Sequence, residues 1–137
     1  MAIYAKEIGI PDDCLLKENE SKATLGNAYF TKVDYLIPKH LGRLAVILGP
    51  NHSLQRVKYI FDKVLGDEYD TTFFEHNADR EGETEREQKS LNILMDWLAE
   101  ISNGDHESVH RVMLAKHPGY SPNPYQAWKD LNKRLEE

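Results

Sequence analysis

The sequence predicts a single domain of mixed α and β structure, either α/β or α+β, over residues 1–137. Three observations lead to this prediction. A strand–helix–strand pattern occupies residues 44–75, three amphipathic helical patterns follow it, and a length of 137 residues suits one domain with one core. We expect a small mixed sheet that contains a β-α-β unit near 44–75, with the three C-terminal helices packed on it.

The N-terminal third is rich in β-branched and aromatic residues. Residues 2–10 predict a short strand that ends at Pro11, and the polar residues 12–22 predict a loop. Residues 23–37 predict one or two further strands, because they are rich in β-branched and aromatic residues.

The β-α-β unit is predicted from its boundaries as much as from its apolar runs. Residues 44–48 form an uninterrupted apolar run between Gly42 and Gly49, which is typical of a buried strand. Ser53 is a favourable N-cap, and Gly66 ends a helical pattern that repeats its apolar residues at spacings of three and four. Residues 71–75 then predict the second strand.

The C-terminal half predicts three helices. An apolar stripe runs from Leu91 to Ile101 and stops at an Asn-Gly pair. Asp105 is a suitable N-cap for the second helix, and Asn123 with Pro124 at the first helical position begins the third.

The composition describes an acidic globular chain. It carries 23 acidic and 17 basic residues, a net charge of −6, which argues against nonspecific binding to nucleic acids or anionic membranes. The single cysteine, Cys14, excludes an intramolecular disulfide and a multi-cysteine metal site, and it fits either a reducing compartment or a fold that is insensitive to redox state. The start lacks a signal-peptide pattern, and no apolar run is long enough to span a membrane, so we expect a cytoplasmic protein.

Residues 79–83, the string DREGE, follow a predicted strand. Asp79 and Glu81 are two residues apart, so at a strand end their carboxylates point the same way and can share a Mg²⁺ ion. This string resembles the D-x-D-R-E-G-E hallmark of the Toprim domain of type IA topoisomerases. The resemblance implies a magnesium site at Asp79 and Glu81, phosphodiester chemistry on a nucleic acid, and Asp79 as a catalytic candidate.

The match to the Toprim hallmark has two departures. Asn77 stands where the family has its first acidic residue, and Gly49 follows the first predicted strand where the family has a glutamate. The alternative interpretation is a solvated helix start, where acidic side chains are favoured by the helix dipole.

Residues 106–110, the string HESVH, match the pattern H-E-x-x-H. On a helix, His106 and His110 present their imidazoles on one face to a Zn²⁺ ion, and Glu107 activates the metal-bound water. The string resembles the zincin metalloproteases, which implies a zinc hydrolase with Glu107 as catalytic candidate. His117 lies roughly 10 Å further along a continuous helix, so it could be the third ligand only if the chain bends at Pro118. Otherwise a Glu or Asp elsewhere, such as Glu75 or Asp79, would supply it. The alternative is a helix start capped by Asp105 with surface histidines.

Tyr120, Tyr125 and Trp128 form an aromatic cluster in the sequence YSPNPYQAW. Such a cluster either packs as a corner of the fold or anchors a partner protein. These three residues are therefore the binding candidates.

Taken together, the sequence predicts a small acidic intracellular binding or accessory protein without a complete catalytic site. It would act through its surface on a protein partner, as an adaptor, inhibitor, immunity-like or assembly module. The alternative is a metal-dependent enzyme, with Mg²⁺ at the DREGE segment or Zn²⁺ at the HESVH segment.

Overall fold

The computed structural model describes residues 2–75 and 84–137, which contain six α-helices and two β-strands. In chain order they are α1 (Ala2–Glu7), α2 (Thr24–Phe30), β1 (Arg43–Ile47), α3 (Leu54–Leu65), β2 (Asp70–Phe74), α4 (Glu85–Leu98), α5 (His106–Lys116) and α6 (Pro124–Glu136). A 3-10 turn at Asp12–Cys14 and a π-helical turn at Thr31–Leu36 lie between them. The predicted mixed α/β fold of a small single domain is confirmed, with a larger helical share than the sequence predicted.

The β-α-β unit is present as predicted. The two strands pair in parallel, with Arg43 opposite Asp70 at the start of the register. Helix α3 connects them; it begins at the Ser53 cap and ends at Gly66, whose φ is 74°. A parallel pair needs such a crossover connection, and the helix provides it.

The N-terminal third is helical, and the predicted strands at 2–10 and 23–37 are wrong. Besides Gly26, the buried positions of the second segment are Leu25, Ala28, Lys32 and Leu36, which recur at the spacing of a helix. Because one of these core positions holds a lysine, the apolar pattern of the helix is interrupted in the sequence. Tertiary burial has therefore overridden the strand preference of the β-branched and aromatic residues.

The core lies between α3 and the helices around it. Helix α5 packs against α2, α3 and α4, while α6 packs against α4. The largest fully buried side chains are Leu25, Ile60, Leu65, Leu91, Leu98, Met113, Val64 and Val109. The three predicted C-terminal helices are present, the second and third with the expected caps Asp105 and Asn123. The first begins at a cap that the sequence analysis did not name, Thr84. None of the helices in the described ranges is long and apolar enough to cross a lipid bilayer.

The sheet has one covered and one uncovered face. On the covered face, Phe73 meets Phe61 of α3 in an edge-to-face contact with ring centroids 6.1 Å apart. On the opposite face Ile47 is 81 % exposed and Phe74, its register partner, is 53 % exposed. Parallel sheets normally have both faces covered, so this open face is unusual for the fold.

Candidate functional site

The HESVH motif begins α5 on a face that contacts α2. The ring of Tyr29 stacks on His110 with centroids 4.6 Å apart, and the ring of His106 lies 6.3 Å from the same tyrosine. The Asp105 carboxylate accepts a hydrogen bond from the Ser108 backbone N–H at 3.1 Å, as expected of an N-cap. Both histidines are half-buried against an aromatic side chain at a capped helix start.

Glu107, the candidate catalytic glutamate, is exposed at this cluster. Burial is the main cause that raises the pKa of Tyr29, followed by the charges of Asp34 and Glu107. Across residues 2–75 and 84–137, no three His, Cys, Asp or Glu side chains are arranged to hold one metal ion. A zinc centre at His106 and His110 would therefore need a ligand from outside the described residues, and the zinc-hydrolase hypothesis stays a prediction.

The DREGE segment, with Asp79 and Glu81, lies outside the described residues. On one side of it β2 ends at Phe74, and on the other α4 begins after Thr84. Thr84 and Glu87 form a capping box, in which each side chain bonds the other residue's backbone N–H. The segment thus joins a strand to a helix, as the Toprim-like interpretation requires, and the magnesium site itself stays a prediction.

The three aromatic candidates occupy two different environments. The Tyr120 hydroxyl oxygen accepts hydrogen bonds from the backbone N–H groups of Lys22 at 2.5 Å and Ala23 at 3.1 Å, just before α2. Tyr120 is therefore a packed corner residue that supports the start of α2. Tyr125 and Trp128 lie on α6 and are 79 % and 54 % exposed, so only these two are available to a partner protein.

Within residues 2–75 and 84–137, strand β1 has β2 on one side and no neighbouring strand on its other edge. At its start the carbonyl oxygen of Gly42 accepts from the Asp70 N–H at 2.9 Å, and beyond its end the Leu48 N–H donates to the Phe74 oxygen at 2.9 Å. In a parallel ladder the residues of one strand alternate between the two sides. The even-numbered residues of β1 therefore bond β2, while residues 43, 45 and 47 direct their N–H and C=O groups away from it.

A groove of about 320 Å³ follows this free edge. Every residue from Leu44 to Leu48 lines it, whether its side chain points to the covered or to the open face, and no described residue of β2 does. The groove therefore reaches the edge of β1, and through Val57 and Phe61 it also borders the covered face of the sheet. Its other lining residues are Thr24, Asn27 and Thr31 from the α2 side and Gly49, His52, Val57 and Phe61 from the α3 side.

A second, smaller cavity of about 50 Å³ lies among α2, α3, α4 and α6. Its polar lining consists of Arg56, Ser90 and His117, with Trp97 beside them; the remaining lining residues are Ala23, Leu25, Ile60, Ile93, Leu94 and Leu131. In the described part of the chain, the Nε–H group of Arg56 is buried and has no hydrogen-bond partner. Burial lowers the pKa of Arg56, while the charge of Glu87 acts in the opposite direction.

His117 is held in one orientation beside this cavity. Its Nδ1 accepts a hydrogen bond from the Gly119 N–H at 3.0 Å, so the neutral ring carries its proton on Nε2. The ring meets Trp97 edge-to-face at 6.4 Å and lies 5.0 Å from the ring of Tyr120. Burial lowers the pKa of His117, and the charge of Arg56 lowers it further.

Acidification is expected to destabilise the protein through His117. Its folded-state pKa lies below the ordinary value of 6.5, so the unfolded chain binds the proton first. The contribution to stability is complete above pH 6.5 and is lost as the pH falls from there through the lower folded-state pKa. Melting temperatures measured at about pH 7.5 and about pH 5.5 should therefore differ more in the wild type than in His117→Asn. Asparagine keeps an acceptor for the Gly119 N–H but does not titrate.

The matched control for this prediction is His40→Asn, because His40 is exposed. That variant should keep the wild-type pH dependence. An equal pH dependence in wild type and His117→Asn would contradict the assignment.

Comparison with known proteins finds no family model, no curated protein and no solved structure that matches this chain. The argument for a function therefore rests on the geometry of the residues themselves. Sequence reasoning missed both the edge groove and the Arg56 cavity. Each is assembled from side chains on separate elements, so no local spacing in the sequence indicates them.

Proposed function

We propose that this protein is a binding module that holds an extended segment of a partner protein as an added strand on the free edge of β1. The observation that carries the proposal is the coincidence of outward-directed backbone groups at residues 43, 45 and 47 with a groove along the same edge. This form of recognition gives affinity through main-chain hydrogen bonds and specificity through alternate side chains. It is a specific form of the binding or accessory function that the sequence predicts.

The chemistry of the edge favours a polypeptide in extended conformation. An unpaired edge is a template for another strand, and proteins usually shield it by charges, bulges or covering elements. Here a groove with apolar Val57 and Phe61 in its lining accompanies the edge. A bound segment would direct alternate side chains toward this apolar lining and the others toward the open face near Ile47.

The charge of the chain and the shape of the groove select the partner. A net charge of −6 favours a segment with flanking Lys and Arg residues, because opposite charge speeds the encounter. A second copy of this chain is a less favourable occupant, because it carries the same net charge and like charges slow the encounter. The proposed compartment is the cytoplasm, where the exposed thiol of Cys14 stays reduced.

Substituting Ala45 by proline is expected to weaken peptide binding at least about tenfold, since it removes an outward N–H donor and places a ring at the edge. The matched control is Thr71→Pro. The N–H of residue 71 in β2 points to the edge of the sheet opposite the groove. This variant therefore also introduces a proline and removes an edge N–H, but away from the proposed binding site. The probe is a set of short peptides selected from a random library on the wild-type protein, with affinity measured by fluorescence polarisation.

Amide hydrogen exchange provides the second readout. On peptide binding, the N–H groups of residues 43, 45 and 47 should become protected, while those of Leu44 and Val46, already bonded to β2, should change little. Equal loss of binding in Ala45→Pro and Thr71→Pro would contradict the edge assignment. Protection of the same amides without peptide, in a species of twice the mass, would contradict a partner segment and identify self-association at β1.

A further inference from the structure

We infer that the cavity beside Arg56 binds the carboxylate group of a small organic acid. This site is separate from the β1 groove and is independent of the proposed function. Arg56 is half-buried, but its Nε–H group is buried and has no hydrogen-bond partner among the described residues, and a buried donor without an acceptor is costly.

The polar groups around the cavity are hydrogen-bond donors. Arg56 provides guanidinium N–H groups, His117 provides Nε2–H because its Nδ1 is occupied by Gly119, and Ser90 provides a hydroxyl. Glu87 is the acidic residue whose charge affects the pKa of Arg56. Its carboxylate accepts a hydrogen bond from the Thr84 N–H at 2.9 Å in the capping box. A ligand that brings acceptors to this cavity would meet donors on more than one side.

Charge and volume narrow the ligand to a monoanion. The described lining contains one arginine, whose charge Glu87 already offsets in part, and burial lowers the pKa of His117, so the site compensates at most about one negative charge. A phosphate dianion would remain partly uncompensated after losing its water. The volume of about 50 Å³ accepts a head group of a few heavy atoms.

The apolar lining of the cavity favours a ligand with a hydrocarbon chain attached to its carboxylate. Trp97, Leu25, Ile93 and Leu131 line the same cavity. Trp97 and Leu131 are only partly buried, so a short hydrocarbon tail can leave the cavity along them. A planar carboxylate also matches the fork of a guanidinium, which favours an organic acid over a spherical ion.

The experiment titrates the full chain with acetate, butyrate, hexanoate, inorganic phosphate and chloride at constant ionic strength. Two signals are followed: the melting temperature and the NMR resonance of the Arg56 Nε–H. We expect saturable shifts of both with butyrate and hexanoate, stronger than with acetate, and a stabilisation of several degrees near saturation. Arg56→Gln should abolish the response. Arg111→Gln, which removes the same charge at an exposed position outside the cavity, should retain it.

Three outcomes would overturn the inference. Phosphate or chloride producing the same shifts as butyrate would mean a general ionic effect. An Arg56 Nε–H resonance that no carboxylate moves would mean that water satisfies this group. An equal loss in Arg111→Gln would mean that net charge, and not this cavity, governs binding. If Arg56→Gln does not fold, the resonance of the wild-type guanidinium decides the matter alone.

Discussion

Replacing Lys32 by methionine is expected to lower the free energy of unfolding by about 3 kcal/mol. Lys32 is only 3 % exposed, and its Nζ donates to the carbonyl oxygens of Val64 at 2.8 Å, Leu65 at 3.3 Å and Gly104 at 2.8 Å. These bonds place a positive charge at the C-terminal end of α3, where the helix dipole is negative. Methionine keeps an unbranched apolar stem, so the change removes the donors and leaves the carbonyl oxygens buried without them.

The opposing effect is the cost of burying the ammonium. Burial lowers the pKa of Lys32, whereas the charges of Glu68 and Asp105 raise it. Replacing a buried charge by an apolar group can be neutral when its partner is replaced as well. Here the partners are backbone carbonyls that cannot be replaced, so we expect the loss to dominate.

Lys58→Met is the control for this substitution. Its Nζ lies 2.6 Å from the Asp62 carboxylate on the exposed surface of α3, and such pairs contribute less than about 0.5 kcal/mol. Urea unfolding midpoints measure both variants. A Lys32→Met protein as stable as Lys58→Met would show that the three bonds make no net contribution.

The parts of the fold predictable from the sequence are those with local signals. Ser53, Asp105 and Asn123 each accept a hydrogen bond from a backbone N–H three residues ahead, so the side chain that begins the helix is visible in the sequence itself. The strands of the β-α-β unit were predictable for a similar reason, because glycines and the pattern of the helix between them mark their ends in the sequence.

The N-terminal third was mispredicted because its decisive interactions are long-range. Lys32 looks like a surface residue in the sequence, and only the carbonyls at the end of α3 and at Gly104 make its burial favourable. Without that contact, the aromatic and β-branched residues around it favour a strand.

The two candidate sites were invisible for a related reason. An apolar run such as 44–48 fits a central strand as well as an edge strand, because its residue pattern does not indicate whether it has one neighbouring strand or two. Arg56 sits on a polar-looking position of an amphipathic helix, and its burial follows from Trp97 and His117 on other elements. The HESVH spacing predicted that two histidines share a face, but it could not indicate that Tyr29 occupies that face.

Replacing Gly66 by alanine is expected to lower the free energy of unfolding by about 3 kcal/mol or more. Two physical causes combine. Gly66 has φ 74° and ψ −171°, a backbone conformation almost restricted to glycine. A Cβ atom there would also lie 2.8 Å from the Cα of Gly104 and 3.2 Å from the carbonyl carbon of Asn103, and both are backbone atoms that cannot rotate away.

The cost of Gly66→Ala can be divided by two further alanine substitutions. Gly104 has φ 92°, but its Cβ would meet its nearest neighbour at 3.5 Å, so Gly104→Ala carries the backbone strain alone, about 1 kcal/mol. Gly42 has neither a positive φ nor a neighbour within 4 Å, and Gly42→Ala should stay within about 0.5 kcal/mol of wild type. Urea unfolding should therefore rank the losses Gly66, Gly104, Gly42. Equal losses at Gly66 and Gly104 would mean that the loop after α4 can move away from the end of α3. The Lys32 ammonium bridges these same two segments, so a loop free to move would also reduce the loss expected for Lys32→Met.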